Sequence, residues 1–244
     1  MKRGLALLAI GFLLTGCVTV PADQRVDYDP LEPLNRGIYG VNDAVDRATL
    51  KPLAKGYNKV VPEPVRNGIT NFSRNLFTPR SAINNFLQGK PGNGFSELMR
   101  FAVNSTVGIG GLVDIAAHLG VEEKTEDFGQ TAAVWGVPQG PYVVIPFLGP
   151  STLRDAVMMP LDVAADPLYH YDDKQSVRNS LYAMRLVNLR ARVLSIEELL
   201  ADSADPYVTI RESYLQNREF QIYDGDPPLD DDEFYDEFLE EEDY

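Results

Sequence analysis

The chain has 244 residues, 44% hydrophobic and 24% charged, with a formal net charge of −14. That length supports one domain with a sizeable core, and the acidic balance excludes a nucleic-acid binder built on a basic patch. The single cysteine leaves no internal disulfide, so packing must hold the fold.

Lys2 and Arg3 precede an apolar run over residues 4–14, then Thr15, Gly16 and Cys17. This is the pattern of a secretory signal, too short to remain as a membrane span. Leu14-Thr15-Gly16-Cys17 resembles a bacterial lipobox. The resemblance implies removal of residues 1–16 and acylation of Cys17 as a lipid anchor. Val18, in place of aspartate, implies passage to the outer membrane. Residues 17–28 are polar and aperiodic and read as a tether. Without residues 1–16 the charge becomes −16, and residues 224–244 hold 12 acids and no base. The body between is nearly balanced, with 20 basic and 24 acidic groups over residues 17–223.

Asp29-Pro30-Leu31-Glu32-Pro33 reads as a capped, proline-started helix beginning. Leu34, Ile38, Val41 and Val45 follow along one helical face, with Asn35, Arg36, Asn42 and Asp43 on others. Pro52 is expected to open a short helix with Leu53, Tyr57 and Val60 inward. Val65, Ile69, Phe72 and Leu76 repeat the pattern. Thr78-Pro79-Arg80-Ser81 reads as a cap and turn, and Gly89 to Gly94 as an exposed loop. Phe95 to Val107 reads as helix. Ser151-Thr152 caps a helix that Pro160 kinks or ends. Lys174 to Ala201 is the longest helical pattern, and Asp205-Pro206 starts the last one. Tyr142 to Phe147 alone has strand composition, limited by Pro146. The expectation is an all-α single domain over residues 29–223, built of short proline-started helices. The tail, residues 224–244, reads as disordered because its charges repel; Phe234, Phe238 and Leu239 also permit a docking helix.

Two stretches carry no charge, residues 101–113 and 128–153, joined by the charged connector Glu122 to Asp127. The second is long enough to cross a bilayer. Pro138, Pro141, Pro146 and Pro150, alternating with Gly136, Gly140 and Gly149, prevent it from being one helix. Irregular backbone at membrane depth is tolerated where protein buries it or where it lines a wet cavity. Composition leaves open a re-entrant membrane arrangement, with the connector in water, or the buried core of a soluble helical domain. The lipid anchor favours the membrane.

No catalytic pattern is found. His118 and His170 lack partners at useful spacing, Gly149-Pro150-Ser151-Thr152-Leu153 lacks the second glycine of a nucleophile elbow, and Gly108-Ile109-Gly110-Gly111 follows a helix rather than a strand. No metal-ligand spacing exists once Cys17 is acylated, and no cofactor is implied. The carboxylate clusters Glu122, Glu123, Glu126, Asp127 and Asp172, Asp173 read as solvated loops. The chain is read as a non-enzyme.

A set of phrases resembles the MlaA (VacJ) family of outer-membrane phospholipid-transport lipoproteins. They are Asp29-Pro30-Leu31-Glu32 with Asn35-Arg36, Val65-Arg66-Asn67-Gly68, Asn85-Phe86-Leu87-Gln88-Gly89, Phe128-Gly129-Gln130-Thr131, Trp135-Gly136-Val137, Gly140-Pro141-Tyr142-Val143 and Ser203-Ala204-Asp205-Pro206-Tyr207. With Arg100-Phe101, Asn104-Ser105-Thr106 and Thr152-Leu153-Arg154-Asp155, they run through residues 28–215. The resemblance implies a helical ring in the outer membrane with an amphipathic channel. It implies phospholipid as the transported ligand, a periplasmic MlaC-like lipid carrier as recipient and trimeric porins as partners. Gly136, Pro138, Gly140 and Pro141 are candidates for the irregular wall or hinge of the lipid path, and Asn42 and Asn104 for its lining. A structural lipoprotein that binds porins or cell wall without moving lipid is the alternative, and a lipid hydrolase a third.

Overall fold

The computed structural model describes residues 28–170, 175–195, 197 and 203–228. Cys17, the tether before Tyr28, Asp172, Asp173 and the tail from residue 229 lie outside the described residues.

The order is α1 (Glu32–Ala48), α2 (Leu50–Val60), α3 (Glu63–Leu87), α4 (Pro91–Thr106), α5 (Ile115–His118), α6 (Phe128–Val134), β1 (Tyr142–Ile145), β2 (Gly149–Thr152), α7 (Leu153–Ala164), a 3-10 turn (Pro167–His170), α8 (Gln175–Arg192) and α9 (Pro206–Ile222). The all-α class holds, with one small antiparallel hairpin in which Tyr142 faces Thr152 and Ile145 faces Gly149. Prolines occupy the first turns of α1, α3, α4 and α9, where their missing N–H is no loss.

The helices turn polar faces inward and apolar faces outward. Among the described residues, nine apolar side chains are buried, five of them alanines, against twenty-two polar or charged ones. Glu32, Asn35, Tyr39 and Asn42 form the inward stripe of α1, spaced three and four apart. Gly94, Glu97, Arg100 and Asn104 do so in α4, and Tyr207, Arg211, Tyr214 and Arg218 in α9. The apolar stripe expected to face the core looks outward instead. Leu53 is 58% exposed and Val60 79%, which corrects their inward placement, and Leu34 and Val41 lie outward too. A protein in water rarely exposes contiguous apolar faces on this scale. The pattern suits a chain whose surroundings are apolar, since every buried polar group then has to find a partner inside. No described helix is long and apolar enough to cross a membrane.

Three local expectations are corrected. Pro79 makes no turn, because α3 runs through it from Glu63 to Leu87. Side chains brace the helix around the lost donor: Thr78 Oγ1 donates to Arg74 O at 3.2 Å, Asn84 to Arg80 O at 3.0 Å and Asn85 to Ser81 O at 2.9 Å. The exposed loop before Phe95 is shorter than expected, since Pro91 already starts α4. Asp29 caps nothing. It is fully buried and accepts from Asn35 (2.8 Å), Tyr207 (2.6 Å) and Arg211 (2.9 Å). In contrast, Asp205 caps α9 as expected, accepting from the N–H groups of Tyr207 and Val208.

Candidate functional site

The uncharged stretch 128–153 folds as a short helix, an irregular bridge and a hairpin. Asp127 caps α6 by accepting from the Gln130 N–H at 2.8 Å. The helix stops at Gly136, whose φ is +85°. Gly136 N donates to Ala133 O and Val137 N to Ala132 O, the paired bonds of a Schellman ending, which needs a left-handed residue at that place. The bridge 137–141 is pinned from α7: Arg154 N donates to Gln139 O and Leu153 N to Pro141 O. Gly140 also has positive φ, +67°, and a Cβ there would lie 3.1 Å from Leu153 Cβ.

Two asparagines of α1 hold the hairpin. Asn35 donates to Tyr142 O (3.0 Å) and accepts from Val144 N (2.9 Å), taking up one carbonyl and one amide of β1. Asn42 does the same at the tip, with Ile145 O at 3.0 Å and Phe147 N at 2.8 Å. The tip itself is apolar and outward, with Phe147 73% and Leu148 66% exposed. Trp135 also projects outward while its indole N–H reaches Leu87 O at 3.0 Å.

Both ends of the stretch meet on Arg218. Its terminal nitrogens reach Asp127 at 2.7 Å each, and its Nε reaches Asp155 at 2.8 Å. Burial alone would raise the Asp127 carboxyl, but the Arg218 hydrogen bonds and charge outweigh it and bring the pKa down to about 2. Asp155 is lowered in the same way against its burial, by Arg218 first and Arg154 next. Gly129 exists where it does because a Cβ would fall 2.4 Å from Arg218 Nη2 and 2.5 Å from Asp155 Oδ1.

The charged connector is only partly solvated. Glu122 is exposed beside Lys124, but Glu126 is buried, accepting from Gln88 at 2.8 Å with Lys90 at 3.3 Å. Glu126 and Asp127 are therefore structural anchors, against the reading of this cluster as a solvated loop. Asn104, at the other uncharged stretch, donates to Asp114 (2.9 Å) and accepts from Ala116 N (2.9 Å). Gly136 and Pro138 are exposed and Pro141 half-buried. The structure thus groups Gly136, Pro138, Gly140 and Pro141 on the bridge, places Asn42 beside the hairpin tip, and sets Asn104 apart on α4. Sequence reasoning missed Asn35, Arg211 and Arg218; their signal was a polar stripe at helical spacing.

His118 and His170 are exposed and bonded to the carbonyls of Asp114 and Ala164. Among the described residues, no group of three or more His, Cys, Asp or Glu is placed to hold a metal ion.

A sequence profile of the MlaA lipoproteins matches residues 27–221. The chain belongs to the MlaA lipoprotein family. It is 37% identical over 231 residues to the intermembrane phospholipid transport system lipoprotein MlaA of Escherichia coli K12, covering 93% of this chain and 91% of that one. The Shigella flexneri protein of the same name matches with the same identity and coverage, and the one from Haemophilus influenzae is 35% identical over 234 residues. A solved structure, described as a structural basis for maintenance of bacterial outer membrane lipid asymmetry, superposes with a TM-score of 0.70. It is 36% identical and covers 80% of this chain and 98% of its own.

Proposed function

We propose that this chain is the outer-membrane lipoprotein of an intermembrane phospholipid transport system, removing mislocalised phospholipid from the outer leaflet. The observation that carries the reading is the inverted helix pattern: apolar side chains such as Leu34, Val41, Leu53 and Val60 outward, and Asn, Glu and Arg side chains inward. The body then lies in the bilayer as a ring, with acyl chains against its outer faces. A charged group at bilayer centre costs about 2.5–3.5 kcal/mol on insertion scales. A path with polar backbone and amides beside it lowers that cost for a lipid headgroup.

The bridge 137–141 is the wall of that path. Gly136 and Gly140, both at positive φ, act as its hinges, and Pro138 and Pro141 keep it from closing into helix. Asn42 holds the hairpin tip that follows it, while Asn104 holds the segment after α4. Acylated Cys17 tethers the chain on the periplasmic side, a periplasmic MlaC-like carrier receives the lipid, and trimeric porins hold the ring in place. The protein's work is transfer rather than catalysis.

Site-specific photo-crosslinking tests the path. A crosslinker at Trp135 or Gln139 is expected to capture phospholipid in cells. Capture of protein alone at both positions contradicts a lipid path along 128–153.

A further inference from the structure

A second polar cavity lies away from the bridge, between the end of α2, the first turns of α3 and the end of α8. Its volume is about 250 Å³, and Asn58, Arg66, Asn67, Thr70, Asn188 and Arg192 line it. The wall has largely used up its acceptors. Asn58 Oδ1 is taken by Arg66, and its amide donates to Ala191 O at 3.1 Å. Asn188 Oδ1 accepts from the Tyr57 hydroxyl at 3.0 Å, and its amide donates to Thr70 Oγ1 at 2.8 Å. What remains toward the cavity is mostly donor: the rest of the Arg66 guanidinium, the Asn67 amide and Arg192. Among the described residues the Arg192 side chain has no ion-pair or hydrogen-bond partner. Glu63 is the one acid on the lining, and it is exposed at the rim.

Two guanidinium groups and spare amides suit an anion with several acceptor oxygens, above all a phosphate. The helices that frame the cavity expose apolar side chains, Val60 79%, Val65 52% and Leu189 58%. We propose that this cavity binds the phosphodiester of a phospholipid, whose acyl chains lie along these apolar side chains of α2, α3 and α8. The site deepens the lipid-transport reading and rests on it. It supplies a second headgroup station, since none of its lining comes from residues 128–153.

The test uses the full lipoprotein in nanodiscs containing radiolabelled phosphatidylglycerol. A photo-crosslinking residue is placed at Asn67, which is exposed beside the cavity, or at Trp135 on the bridge. Labelled lipid is expected on both. Arg192→Gln is expected to lower the adduct at position 67 about tenfold, equivalent to about 1.4 kcal/mol, while leaving that at 135 unchanged. Among the described residues the Arg192 side chain has no partner to lose, whereas Arg66→Gln also releases Asn58. Lipid captured at 135 but not at 67, or an adduct at 67 indifferent to Arg192→Gln, overturns the cavity site and leaves the transport reading standing. Protection of position 67 by inorganic phosphate alone, without dependence on lipid, overturns the lipid assignment in favour of a free-anion site. Lipid at neither position overturns the transport reading together with it.

Discussion

Arg218 grips Asp127 with two prongs, each terminal nitrogen 2.7 Å from a different carboxylate oxygen across 91 residues of chain. Its Nε holds Asp155 as well. One side chain of α9 therefore fastens both ends of the uncharged stretch. On the proposed reading, the bridge between them hinges without the helices on either side coming apart. Arg218→Gln leaves the half-buried Asp127 without its cation and Asp155 with Arg154 alone, a loss of about 3 kcal/mol. Denaturant unfolding in detergent measures it. Gly129→Ala, which drives a Cβ into the same pair, is expected to shift the midpoint in the same direction.

The same contact sets a dependence on acidity. Asp127 sits at about 2 in the folded chain, and Asp155 is lowered also; unfolded aspartate titrates near about 3.9. Their stabilisation is complete above the unfolded value and is lost as pH falls through the folded one. Burial raises Glu97 and Glu126, whose pH dependence runs the other way: their stability is present at low pH and is lost as pH rises through their raised values. The difference in unfolding free energy between the native chain and Arg218→Met isolates the aspartates. It is expected to shrink as pH falls from the values that burial gives the aspartates without Arg218, above the unfolded one, down to about 2, and to be flat above that window.

The outward apolar faces make a prediction that separates bilayer from water. An exposed residue of a soluble protein changed to another polar type alters stability by about 0.5 kcal/mol or less. At Phe147 or Leu148 a change to Asp is instead expected to weaken membrane partitioning strongly. With Cys17→Ala removing the proposed anchor, the remaining body is expected to float with liposomes. Phe147→Asp with Leu148→Asp is expected to leave most of it in the aqueous fraction.

Much of this was legible in the sequence, and the limit was the solvent. Leu34, Ile38, Val41 and Val45 fixed the helical period of α1 correctly, yet period alone does not say whether the apolar face meets a core or a lipid. Reading it as inward placed Leu53 and Val60 on the wrong side. The strand composition of Tyr142 to Phe147 yields β1, which stops before Pro146. Its partner β2, Gly149-Pro150-Ser151-Thr152, has no strand composition and forms because Asn42 and Phe147, at φ +64°, fold the tip back. Thr152 was legible as a helix cap and accepts from Asp155 N at 3.2 Å. Pro79 looked like a break because local propensity speaks louder in sequence than the side-chain braces around it. Arg218 could not be joined to Asp127 by any local rule.

The glycines proposed as hinges are separable from the anchors. Gly140→Leu forces a side chain into left-handed backbone, roughly 1–2 kcal/mol, and against Leu153 Cβ at 3.1 Å. It is expected to change outer-leaflet phospholipid at normal protein abundance. Asn42→Ala frees Ile145 O and Phe147 N and is expected to raise hydrogen exchange at the hairpin tip first.

The measurement that bears most directly on the account is outer-leaflet phospholipid in cells lacking this protein, read with a membrane-impermeant label. Removal of mislocalised lipid predicts accumulation on deletion and return to the normal level when the chain is restored. An unchanged outer leaflet, with porins or cell wall disturbed instead, contradicts transport and favours a structural lipoprotein.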